Sequence, residues 1–135
     1  MTPAALDRDG RSNLHHAAAA NDVRTAAALL DEGYDPDLGD RMGFTPLHFA
    51  AQEWAEGVAS LLLERGAEVD SVNAYGNTPL FVATVSSRGR GELIDLLLRY
   101  GADPMRANAS GQTPVGLARL VGSYDVARFF EDADE

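Results

Sequence analysis

Three histidines, His15, His16 and His48, are the side chains of this chain best suited to hold a metal ion or to move a proton. A zinc site needs about four converging ligands. Adjacent residues on a helix point about 100° apart, so His15 and His16 do not converge on one ion, and no spacing supplies a fourth ligand. There is no cysteine, which excludes a thiolate metal site, a thiol nucleophile and a disulfide framework. A triad can be drawn from Ser12, His16 and Asp9, but nothing in the spacing orders a base against a nucleophile or provides an oxyanion hole, and Ser12 is better used as a helix cap. Arg88-Gly89-Arg90-Gly91 has the glycines of a phosphate loop without its lysine or its preceding strand. No catalytic residue, metal ligand or cofactor is therefore expected. An enzyme built on His15 and His16 would have to show a turnover that substitution of His16 abolishes.

The elements that must position these residues are set by a repeated helix start. In Thr45-Pro46 the threonine oxygen can cap free backbone N–H groups, and proline fits the first helical position, where no hydrogen bond is lost. The same start returns as Thr78-Pro79 and Thr113-Pro114, with a fainter copy at Ser12-Asn13. The glycines two residues before each start, Gly10, Gly43, Gly76 and Gly111, are separated by 33, 33 and 35 residues. Leu47, Ala50 and Ala51 stand at the i, i+3, i+4 spacing of one helical face, and Val58, Leu61, Leu62 and Leu63 supply a second.

Thr45-Pro46-Leu47-His48-Phe49-Ala50 resembles the T-P-L-H-x-A core of the ankyrin repeat family, whose unit is about 33 residues of turn plus two helices. Gly66-Ala67 and Gly101-Ala102 match the Gly-Ala that closes the family's second helix. The resemblance implies an all-α solenoid of four helix-turn-helix units joined by β-hairpin-like loops. Residues 1–135 form a single domain in this reading, with repeats at approximately 7–36, 37–70, 71–104 and 105–131. The outer units depart from the core motif, as terminal caps do, and the acidic tail from Glu131 to Glu135 is expected to fray. The resemblance also gives His15 and His48 a structural role, bonding to the neighbouring hairpin.

Two positions break the pattern. Trp54 stands where the family has a glycine ending the first helix, with Asn21 and Gly122 as its counterparts. A tryptophan would be strained at positive φ, so either the helix is expected to run past Glu53 or the turn to differ. Leu47 to Gly66 spans 19 positions and Leu80 to Gly101 spans 21, which puts a two-residue insertion at Ser86 to Gly91.

The composition, 45% hydrophobic, is enough for a continuous core. Formal charge is −10, from 21 acidic against 11 basic residues, and every basic residue is arginine. An acidic chain has few cations with which to displace the counterions of a polyphosphate, so nucleic acid and anionic membrane are not expected partners. A protein partner with a basic surface fits the net charge. The absence of lysine points to a GC-rich, bacterial genome. With no apolar run for a signal or a membrane span, a cytoplasmic monomer without a small-molecule substrate is the expectation.

In ankyrin proteins the partner-facing residues lie at the hairpin tips and at the exposed ends of the first helices, on a concave surface. The matching positions here are Arg41, Met42 and Phe44, Tyr75 and Asn77, and Gln112 at the tips. Gln52, Glu53 and Trp54 match at the helix ends, with Arg88 and Arg90 added by the insertion. Arginine and exposed aromatics are the residue types enriched in interface hot spots. The function implied is non-catalytic binding of a partner protein, as an inhibitor or immunity-type protein. The alternative is a structural stabiliser or assembly subunit of a companion enzyme.

Overall fold

The computed structural model describes residues 6–88, 90–120 and 126–130. Gly89, Gly122 and the tail from Glu131, all singled out in the sequence, lie outside them. Helices α1 (Asn13–Ala19), α3 (Pro46–Gln52), α5 (Pro79–Ser86) and α7 (Pro114–Leu120) are the first helices of successive units. Helices α2 (Val23–Asp31), α4 (Glu56–Glu64) and α6 (Glu92–Arg99) are the second helices of the first three, and a 3-10 helix, Val126–Phe130, stands in the fourth. No strand occurs among the described residues, so the connecting loops resemble hairpins only in outline.

Each first helix starts where the sequence places it. The Thr45, Thr78 and Thr113 hydroxyl oxygens accept from the backbone N–H groups of His48, Phe81 and Gly116, and proline fills the first helical position behind each. At seven or eight residues these helices are too short to stand alone. They persist because each packs on the next unit's counterpart, α1 on α3, α3 on α5 and α5 on α7, while α2 meets α4 and α4 meets α6.

The core is a set of rows running through the stack. Leu14, Leu47, Leu80 and Val115 form one, buried to 2% exposure or less, and Ala17, Ala50, Ala83 and Ala118 lie one helical step away. In the second helices, Leu29, Leu62 and Leu97 repeat the arrangement. Alanine along the first helices lets neighbouring units approach closely, and the leucines then exclude water from the seam.

The inter-helix turns correct the expectation for Trp54. Helix α3 ends at Gln52, and Trp54 takes φ 59°, matching Asn21 at 54° and Arg88 at 49°. A left-handed residue thus follows the first helix's cap in all three units, two positions before α2 and α4 begin and four before α6, although only asparagine among these residues takes that conformation readily. A left-handed conformation costs an L-residue roughly 1–2 kcal/mol. Contacts of the Trp54 ring offset it. Its indole N–H donates to the Ser86 carbonyl at 2.6 Å, and the Arg90 guanidinium lies over the ring at 4.2 Å from its centroid. Both contacts reach into the next unit, and both come from the insertion or the helix end before it.

Candidate protein-binding surface

The connecting loops are built around one side chain each. Asp40 Oδ1 accepts from the N–H groups of Met42 and Phe44, and Asn73 Oδ1 accepts from those of Tyr75 and Asn77. Asp7 and Asn108 do the same in the outer units. A carboxylate or amide oxygen thereby satisfies the N–H groups of a tight turn that no neighbouring strand could reach. Glycine completes the turn: Gly76 has φ 76°, and a side chain there would press within 2.7 Å of the Ala109 backbone nitrogen.

Successive tips are bonded to each other. The N–H of Arg41 donates to the Asp9 carbonyl, that of Ala74 to Met42 and that of Ala109 to Tyr75, at 2.8 to 3.0 Å. Side-chain pairs beside them vary. Arg11 Nε donates to Asp40 Oδ2 at 3.2 Å, and Asn108 Nδ2 donates to Asn77 Oδ1 at 2.8 Å. At the equivalent place between units two and three, Phe44 replaces the polar partner, and the buried Nδ2 of Asn73 has no acceptor.

His15 and His48 tie the tips to the helices. The N–H of Thr45 donates to His48 Nδ1 at 3.1 Å, so His48 Nε2 carries the proton and donates to the Asn77 carbonyl at 2.8 Å. His15 repeats this between Ser12 N–H and the Phe44 carbonyl. Burial, the largest effect, pushes both imidazoles below the ordinary histidine pKa, against the pull of the carbonyl bonds and of Asp40. They are neutral structural links. His16 is exposed and pairs with Asp7, whose carboxyl is held below the usual range chiefly by the Arg11 N–H.

The sequence-selected residues fall into two groups at opposite ends of the first helices, roughly 10 Å apart for seven residues of helix. At the tips, Arg41, Met42, Tyr75 and Gln112 are exposed, Met42 at 43% and Tyr75 at 55%. Phe44 and Asn77 are half-buried and already engaged. The Phe44 ring packs on His48 and Phe49, and Asn77 accepts from both His48 and Asn108. At the far edge Gln52, Glu53, Arg88 and Arg90 are exposed, while Trp54 is half-buried. Two open clefts flank Trp54. One, of about 330 Å³, is lined by Gln52, Glu53, Val85, Ser86 and Arg88, and the other, of about 240 Å³, by Glu56, Arg90 and Glu92 among others.

One feature was missed, the side chains that organise the tips. Asp7, Asp40, Asn73 and Asn108 organise the tips, and a signal for them existed, an acid or amide three residues before each marker glycine. Val85 and Leu120, at corresponding helix-end positions, expose 58% and 77% of their surface and join the far edge. Among the described residues no group of histidine and carboxylate side chains could hold a metal ion, and no helix is long and apolar enough to cross a membrane.

Stacked turns bonded tip to tip, paired short helices and histidines joining each helix to the next turn are the parts of one repeated unit. The family model described as ankyrin repeats, in three copies, matches residues 2–73 and 55–134. No curated protein sequence matches the chain. Ankyrin repeats are generally protein–protein interaction modules. The two matched stretches span nearly the whole chain, which belongs to the ankyrin repeat family.

Proposed function

We propose that this chain is a non-catalytic recognition module that holds a partner protein across its hairpin tips and first-helix ends. The observation that carries this reading is the pair Met42 and Tyr75. Both are large, exposed side chains on adjacent tips, and the tip backbones are bonded to each other and to their own turn residues. A fixed tip backbone spares the cost of ordering a loop on binding, so more of the area these side chains bury converts into affinity. Such binding serves either of two roles, an inhibitor or immunity-type protein that covers a partner's working surface, or a stabiliser that holds a companion enzyme together.

Affinity capture from native lysate tests the reading, comparing wild type with a Met42→Ala, Tyr75→Ala variant and with Tyr100→Ala as a control on the second-helix side. The partner is expected to bind wild type and the control and to be lost from the tip variant. Equal capture by all three would contradict it. An inhibitor lowers the partner's activity on binding, whereas a stabiliser preserves that activity on heating.

A further inference from the structure

The acidity of this chain is not shared by its two sides. The loop and first-helix segments, 7–20, 40–53, 73–90 and 106–120, hold seven arginines and four carboxylates, a formal charge of +3. The segments that follow them, 21–39, 54–72, 91–105 and 121–135, hold four arginines and seventeen carboxylates, a formal charge of −13. The entire net charge of −10 therefore resides in these four segments. The tip side is basic.

The contacts sharpen that asymmetry. All four carboxylates of the tip side are bonded within the chain: Asp7 and Asp40 to turn N–H groups, Asp9 to Arg11 and Glu53 to the Gln52 amide. In contrast, Arg8, Arg41, Arg88 and Arg106 are exposed and make no ion pair among the described residues. Unpaired guanidiniums supply forked donors to whatever docks there. Exposed Met42, Tyr75, Val85 and Leu120 lie among them.

Resting on the binding role proposed above, we infer that the partner surface is acidic, a protein segment in which carboxylates are interspersed with apolar side chains. The twelve carboxylates that the described residues carry in the second helices and the loops around them repel such a segment, which steers it toward the tips. The apolar side chains between the arginines favour such a segment over a polynucleotide, whose affinity comes mainly from phosphate contacts.

Selection of a displayed library of random 16-residue peptides on the purified protein tests this, with the enriched peptides then measured by fluorescence anisotropy. Enriched sequences should be acidic with interspersed apolar residues. They should bind at least tenfold more weakly to Arg41→Glu, Arg88→Glu and unchanged to the control Arg24→Glu, Arg99→Glu, and added salt should weaken them. Basic peptides lost from the tip variant would overturn the acidic partner while leaving the binding role intact. Acidic peptides that ignore the tip variant, or no enrichment at all, would overturn the proposal. So would a labelled 20-nucleotide single strand that binds more tightly than the peptides and is lost with the same arginines. Circular dichroism melts verify that both variants remain folded.

Discussion

The Trp54 indole N–H donates to the Ser86 carbonyl across the boundary between units two and three, from a residue whose φ of 59° suits glycine. Strain at this turn and the bond that offsets it belong to the same side chain. Trp54→Ala keeps the strain and loses the bond and the stacked Arg90, whereas Trp54→Gly loses the contacts and the strain together. The glycine variant is expected to be more stable than the alanine variant by about 1 kcal/mol, the reverse of the usual order of these residues in a helix. Urea denaturation of both, with Trp54→Phe about 1 kcal/mol below wild type for the lost hydrogen bond, checks it.

Buried neutral histidines make the fold sensitive to acid. In the folded chain the pKa values of His15 and His48 lie below the unfolded value of 6.5, so below that pH the unfolded chain binds more protons. Stability is therefore fully present above about pH 6.5 and falls as pH drops from there toward the folded values. The folded-state pKa values of Asp7 and Asp22, held below 3.8 by hydrogen bonds, add a further loss at lower pH as the solution passes through them. Denaturant midpoints measured from pH 8 to pH 5 should decline, and His48→Gln should flatten the decline.

Removing His48 also exposes its bonding partners to loss. His48→Ala leaves the Asn77 carbonyl and the Thr45 N–H without their partner in a buried site, at about 1–3 kcal/mol. His16→Ala, which removes only an exposed contact to Asp7, is expected to change stability by less than about 0.5 kcal/mol. Thermal melts of the two variants side by side distinguish the links from the surface histidine.

A polar pair can be moved along the stack. Arg11 with Asp40 occupies the place that Phe44 and the unpaired amide of Asn73 occupy one unit later. Asn73→Asp alone puts a carboxylate beside an aromatic ring and should destabilise, while the same change combined with Phe44→Arg recreates the upstream pair. A double-mutant cycle should give a favourable coupling of about 1 kcal/mol, and a coupling of zero would show that the two places are not equivalent.

Most of the fold was legible because its determinants are local and periodic. Thr-Pro starts, paired leucines and closing glycines each report their own backbone, and the 33-residue interval reports the stacking. The inter-helix turn at Trp54 was misread because the compensation comes from Ser86 and Arg90, some 32 and 36 positions away, and no local rule contains them. Site residues were less legible. Position in the repeat located Met42 and Tyr75, yet it could not tell that Phe44 and Asn77 are engaged internally. Net charge pointed to a basic partner, but a sum over the chain does not report which side each charge occupies, and the acidic segment proposed above rests on that placement.

Hydrogen–deuterium exchange of the chain with and without its captured partner tests the central claim most directly. The tip-and-helix-end account predicts slowed exchange at residues 41–44, 74–77 and 108–112 and at the turns near Trp54 and Arg88, with the second helices, 23–31 and 56–64, unchanged. Protection confined to the second helices would contradict it.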